Sequence, residues 1–246
     1  MYKDAIENYL KRHSYERLNL KAILFDMDGV LFDSMPNHAR AWNVAMNQYG
    51  FHLSPEEAYM HEGRTGAATI NIVSQRERGT DATPQEIEKI YQTKTEIFNS
   101  YPKAGRMPGA WELICQLKAE GVTIMLVTGS GQASLLDRLN RNFPETFHPE
   151  LMVTAYDVRR GKPDPEPYLM GLEKGNLQPW EAIVVENAPM GVHAGVAAGI
   201  FTVAVNTGPL PDHVLLDEGA NLLFPSMTSL SDHWKELRAS LETTRI

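Results

Sequence analysis

Four short segments of the chain carry residue types whose chemistry becomes useful only in a shared pocket. In LKAILFDMDGVLFDS, Asp26 and Asp28 follow an apolar run, two positions apart and just ahead of Gly29. Side chains two apart on an extended chain point the same way, so both carboxylates face one pocket. Such a pair also serves as a polar turn closing a strand, or as the start of a calcium-binding loop. Spacing rejects the calcium loop: Gly29 falls at loop position four, where six is needed, and position twelve is Asn37, which cannot supply a bidentate carboxylate. TIMLVTGSG ends a second apolar run with Thr128, Gly129 and Ser130, a hydroxyl and backbone N–H groups fit to hold an anion. RGKPDPEPY sets Lys162 before the rigid Pro163, and AIVVENAPMG ends a wholly apolar run with Glu186 and Asn187, oxygen donors suited to a hard cation such as Mg2+. Taken singly, these are a Gly-rich turn, a solvated lysine and a polar strand end. An acidic pair, a hydroxyl, a lysine and a Glu-Asn pair, in that order at successive strand ends, is hard to produce by chance.

The elements that must position these residues are legible as short, continuous apolar runs: Ala22–Phe25, Thr123–Val127, Leu151–Val153, Ala182–Val185, Thr202–Val205 and Asn221–Phe224. Continuous apolarity means burial on both faces, as in a parallel sheet. Helical spacing lies between most of them, over Trp111–Ala119, Ala133–Leu139, Tyr168–Leu172 and Gly191–Ala198, which predicts an α/β fold with a Rossmann-like parallel-sheet core. Residues 35–107 break the rhythm and read as an inserted helical-bundle cap, leaving 1–34 and 108–246 as the core. Its helices are predicted at His38–Tyr49, Glu56–His61, Ala68–Arg78 and Pro84–Tyr101, with Ser54 and Thr83 as N-caps ahead of Pro55 and Pro84. An insert between the first and second strands overhangs the strands' C-terminal ends, where a lid belongs. The segment Asp232–Arg238 reads as a polar surface helix.

Composition narrows the function classes. Of 246 residues, 23 are basic and 31 acidic, a formal net charge of -8, so no basic field invites nucleic acid or an anionic membrane. The single cysteine, Cys115, forms neither an internal disulfide nor a thiolate metal site. Charges run throughout residues 1–20, unlike a signal peptide, and no apolar run approaches the ~20 residues of a membrane span. A cytoplasmic protein is expected.

FDMDGVLFDS, LVTGSG, GKPDPEPY and VVENAPMGVHAG together resemble the four motifs of the haloacid dehalogenase-like superfamily of aspartate-nucleophile phosphotransferases, from about Leu20 to Pro225 and with the helical insert included. Within it the chain is similar to the β-phosphoglucomutase-like subgroup, and most of all to bacterial inorganic pyrophosphatases of that subgroup. The resemblance implies Asp26 as nucleophile, Asp28 as general acid/base, and Thr128 and Lys162 as phosphate holders. It also implies a Mg2+ site made of Asp26, the Asp28 carbonyl, Glu186 and Asn187. An anionic nucleophile attacking a polyanion needs such charge neutralisation. Asp28 would protonate the leaving oxygen and later deprotonate water. A halide leaving group needs no proton, which argues against dehalogenation.

Two departures from the family pattern stand out. Many relatives carry Glu-Asp where this chain has Glu186-Asn187, one negative charge fewer for the cation. Mutase-like members have a Lys-Gly pair in the first cap loop and an Arg shortly beyond; HEGRTGAA puts Glu62 at the lysine and Gly66 at the arginine. Facing the site, Glu62 is wrong for the second phosphoryl group of a sugar phosphate and suited to a metal-bound phosphate leaving group. At ~5 Å and an effective dielectric of ~20, one charge is worth about 3 kcal/mol. The expected activity is therefore Mg2+-dependent hydrolysis of a small phosphorylated substrate, inorganic pyrophosphate first, by a monomer or weak oligomer. The alternatives are a β-phosphoglucomutase or sugar-phosphate phosphatase, and a non-enzymatic phospho-receiver module, which has no need of a lid.

Overall fold

The computed structural model describes residues 2–130 and 135–246. The chain opens with α1 (Tyr2–His13) and β1 (Ala22–Phe25), then runs through four helices, α2 (Met35–Gln48), α3 (Pro55–Met60), α4 (Gly66–Arg78) and α5 (Pro84–Ser100). It returns through α6 (Ala110–Ala119), β2 (Thr123–Val127), α7 (Leu135–Asn142), β3 (Met152–Val153), α8 (Glu166–Gly175), β4 (Ala182–Glu186) and α9 (Pro189–Ala197). The last elements are β5 (Phe201–Val205), α10 (Asp212–Asp217), β6 (Leu222–Phe224), α11 (Met227–Asp232) and α12 (Trp234–Thr243).

The six strands form one parallel sheet in the order β3-β2-β1-β4-β5-β6. On β1, Ala22 lies opposite Thr123 on one side and Ala182 on the other. The chain thus builds outward from β1 first one way and then the other, and the crevice at that reversal, at the strands' C-terminal ends, is where α/β sheets bind ligands. Side chains alternate between two apolar layers. Ile23, Phe25, Leu126, Val185 and Phe201 pack under α1, α6 and α12, while Leu24, Met125, Val127 and Val184 pack against Tyr168 and Leu172 of α8. Both faces are covered, which is why the strands read as continuous apolar runs. β3 is shorter than its run because Leu151 closes a 3-10 turn. Of the helix expected from Ala133, residues 133 and 134 lie outside the described residues, as does Gly131 next to Ser130.

Helices α2 to α5 pack around a core of their own that includes Trp42, Met46, Phe51, Ile70, Val73 and Ile90. Ser54 Oγ accepts the Glu57 N–H at 3.0 Å, and Thr83 with Glu86 forms a reciprocal capping box, as the Ser-Pro and Thr-Pro pairs predict. α2 starts three residues ahead of its expected start, because Pro36 fits a first helical turn that has no use for its N–H. The polar surface helix expected over Asp232–Arg238 is corrected. α11 ends at Asp232 and α12 begins at Trp234, burying Trp234, Leu237 and Leu241 in the main core, since one apolar residue per turn over ten residues is enough for a stripe. Among the described residues, no helix is long and apolar enough to cross a membrane.

Candidate active site

Three strand ends converge on one lysine. The Asp26 N–H donates to Val185 O at 3.1 Å, carrying the β1–β4 ladder one residue past the strand and fixing its carboxylate at the sheet's edge. Lys162 Nζ donates to Asp26 Oδ1 at 2.6 Å, to Glu186 Oε1 at 2.6 Å and to the Val127 carbonyl at 3.0 Å. Asp26, Asp28, Thr128, Lys162, Glu186 and Asn187 are all under a tenth exposed. Burial pushes the Asp26 carboxyl up from its ordinary range, with Glu186 adding to the rise and Lys162 opposing it. Burial works to discharge Lys162, but Asp26 and Glu186 outweigh it and hold the ammonium charged.

Asp28 sits in a different environment. Burial opposes its ionisation, but His38 Nε2 at 3.5 Å and the Ser34 hydroxyl, donating at 2.5 Å, hold its carboxyl well below the usual range. Gly29 turns the chain at φ +87°, and a Cβ there would lie 2.0 Å from Asn187 Nδ2, so only glycine lets the amide pack over this backbone. Thr207 Oγ1 donates to the Gly29 carbonyl at 2.7 Å and pins the same turn. On β2's far end, Thr128 Oγ1 accepts the Ser130 N–H at 3.1 Å, which leaves the threonine proton free to donate. Ser130 O in turn accepts from Ala155.

The residues fit a hard divalent cation. Asn187 Oδ1 is buried with no hydrogen-bond partner, an orphaned acceptor whose cost a cation would remove. The pocket also gathers three carboxylates against one lysine. Asp26, the Asp28 carbonyl and Asn187 Oδ1 would hold Mg2+, which when bound would neutralise phosphoryl charge and screen an anionic nucleophile. Glu186, expected as a ligand of the cation, is here engaged in hydrogen bonds. Its Oε1 accepts from Lys162 and from Tyr168 OH at 2.9 Å, and its Oε2 from the Asn187 and Ala188 N–H groups, so every acceptor position is filled. It orients Lys162 and the β4–α9 turn, and could ligate a cation directly only by giving up one of these bonds. Among the described residues, no three Asp, Glu, His or Cys side chains form a metal cage by themselves.

The cap loop reaches this pocket. Position 63 rests on the Lys162 side chain, and Glu62 lies within electrostatic reach of His38, Asp28, Lys94 and Glu186. Burial raises its carboxyl and His38 opposes the rise. At Gly66 a Cβ would lie 2.2 Å from the Tyr91 ring, so a side chain there would have to displace that ring. Sequence reasoning missed a second tier of residues. Lys94 of α5 is buried, donates to His38 Nδ1 at 2.9 Å, and lies 5.3 Å from both the Trp42 and Phe98 ring centres. Burial lowers its pKa, with Glu62 and Asp28 working against that. Ser34 and Tyr168 were within reach as the residues closing FDMDGVLFDS and GKPDPEPY; nothing local marks His38 or Lys94.

The sequence matches a family described as haloacid dehalogenase-like hydrolase over residues 23–205. Hexitol phosphatase A of Escherichia coli is 35% identical over 77% of this chain and 84% of its own length. A phosphorylated carbohydrates phosphatase of Thermotoga maritima is 30% identical over 82% of this chain and 92% of its own. A solved structure from Bacteroides vulgatus, provisionally assigned as a beta-phosphoglucomutase, superposes with a TM-score of 0.96 at 66% identity and covers 98% of each chain.

Proposed function

Because the chain belongs to the haloacid dehalogenase-like hydrolases, we propose that it is a Mg2+-dependent phosphohydrolase with Asp26 as nucleophile, acting on small phosphorylated carbohydrates. The observation that carries the reaction class is the buried Asp26–Lys162–Glu186 network beside a second, separately held carboxylate at Asp28. In this reading the Asp26 carboxylate attacks phosphorus and the leaving oxygen departs. Lys162 and the Thr128 hydroxyl hold the phosphoryl oxygens, and Asp28 gives the leaving group its proton. Asp28 then takes a proton from the water that opens the aspartyl-phosphate at Asp26. Helices α2 to α5 act as the lid that excludes bulk water. The carbohydrate assignment draws on the names of the two phosphatase relatives, and a monophosphate needs no second cationic subsite. Glu62, standing where the mutases' lysine is expected, weighs against the mutase alternative.

A second reading, inorganic pyrophosphate as substrate, is favoured by two particulars of the site. Glu62 brings negative charge to the cap side, suited to a metal-bound leaving phosphate. Asp28 is held strongly acidic, which suits a leaving phosphate that needs little protonation better than a sugar alkoxide that needs a full proton. Phosphate release from hexose and polyol phosphates and from pyrophosphate, each with Mg2+ and with chelator, decides between them. Higher kcat/KM on a carbohydrate phosphate supports the first reading and higher kcat/KM on pyrophosphate the second. Stoichiometric rather than catalytic phosphate release would sink both.

A further inference from the structure

A cavity of about 80 Å³ lies outside the catalytic centre, where the chain crosses from core to cap and back. One crossing contributes Asn37, the other Tyr101 and Lys103, and α7 contributes Arg138 and Arg141. Asn37 Nδ2 donates to the Pro102 carbonyl at 3.0 Å and ties the two crossings together beside it. Three cations and no acid line the cavity. Among the described residues, the salt-bridged arginines are Arg76, Arg78, Arg160 and Arg238; Arg138 and Arg141 make no such contact, and the one carboxylate whose charge reaches Arg138 is Asp28. Arg138 lies over the Phe32 ring at 3.8 Å, and its Nε is buried with no hydrogen-bond partner. Arg141 Nε is spent on the Asp137 carbonyl, leaving the other guanidinium donors. The buried Arg138 Nε is a donor left unmade, with two exposed cations beside the same void, and an anion there would satisfy the donor.

We propose that this cavity binds a small free oxyanion of the size and charge of inorganic phosphate, bridging α7 to both chain crossings. One water needs about 10–15 Å³ of such space, so the void has room for a tetrahedral anion in place of several waters. Guanidinium groups match tetrahedral oxyanions through paired N–H donors, and Asn37 and Lys103 supply the rest. An anion here touches both crossings and the core at once, and therefore favours the arrangement in which cap and core meet. If the chain is a phosphohydrolase, the occupant is its own product; that identification rests on the proposed function, whereas the site does not.

The test is a titration of the Mg2+-free protein with inorganic phosphate, with no substrate present, followed through the Arg138 and Arg141 Nε–Hε resonances. Saturable shifts are expected with phosphate and not with chloride at matched ionic strength. The exposed pair Arg141→Gln and Lys103→Gln should weaken binding at least about tenfold. Lys162→Met, or Thr128→Ala should that variant fail to fold, should leave these shifts in place. Shifts that never saturate, or that vanish with the catalytic-centre variants and survive the Arg141/Lys103 pair, would overturn the site. Glucose 6-phosphate binding as tightly as phosphate would overturn the free-ion assignment. Because the titration reads no turnover, its failure and the failure of the phosphohydrolase reading are separate results.

Discussion

Two aspartates two residues apart are given opposite electrostatic settings: one faces a lysine in a buried cluster of like charges, the other a hydroxyl and an imidazole. Asp26→Asn keeps the shape but cannot form the covalent intermediate, so turnover should fall at least about 10³-fold on every substrate. Activity within tenfold of wild type would end the nucleophile assignment. Asp28→Asn should cost about 10²–10⁴-fold on an alkyl phosphate and much less on p-nitrophenyl phosphate, whose leaving group needs little protonation. Equal losses on both would make Asp28 a positioning group. Asn187→Asp replaces the orphaned amide oxygen with a charged one, and the Mg2+ concentration for half-maximal rate should drop by roughly tenfold. An unchanged requirement in a magnesium titration would take Asn187 away from the cation. If Glu62 acts on a metal-bound leaving phosphate, Glu62→Ala should lower kcat/KM for pyrophosphate at least ~10-fold, about 1.4 kcal/mol, and affect a bulky aryl phosphate less. A uniform effect on both would show that the carboxylate only shapes the loop.

Each element carries its own start and stop instructions, and the cap shows how much they matter. Thr83 and Glu86 satisfy each other's end of α5, while Arg78 of α4 reaches Glu86 Oε1 at 2.8 Å. The Thr83 N–H, then Arg78, bring the Glu86 pKa down to about 2 from an ordinary 4.5. A folded value below the unfolded one means the contribution is full above about pH 4.5 and is lost as the pH falls toward 2. Glu86→Gln should therefore lower the urea midpoint at pH 7 by an amount that shrinks steadily between pH 4.5 and 2. A difference that stays constant with pH would assign the effect to geometry and not to charge. What the sequence made legible at this scale follows from how local the cause is. Apolar runs and Ser-Pro or Thr-Pro starts are written within a few residues. Lys94 reaches His38, 56 positions away, only because α5 packs on α2. Trp234 was misread because a narrow apolar stripe on a short helix is outnumbered by its polar neighbours.

At the scale of the molecule, a parallel sheet with a helical unit inserted after β1 was readable from the order of apolar runs. How the acids divide their work was not, since the hydrogen bonds that saturate Glu186 come from Lys162 and Tyr168, 24 and 18 positions away. The insertion also bears on how the chain finds its fold. β1 pairs in register with β2, Ala22 beside Thr123, only after the whole cap has been spanned. Once α2 to α5 have packed, Asn37 and Pro102, 65 positions apart, are within a hydrogen bond of each other. Packing the insert first shortens the loop that β1–β2 pairing must close about threefold, worth about 1 kcal/mol of closure entropy. The cap core should then form ahead of the sheet. Ile70→Val is expected to slow refolding, while Leu237→Ala under the sheet acts mainly by speeding unfolding. Stopped-flow chevrons in which Ile70→Val moves only the unfolding limb would place cap assembly after the sheet. By this order, the segment whose loop reaches the pocket in the finished protein is also the one that brings the pocket's strands together.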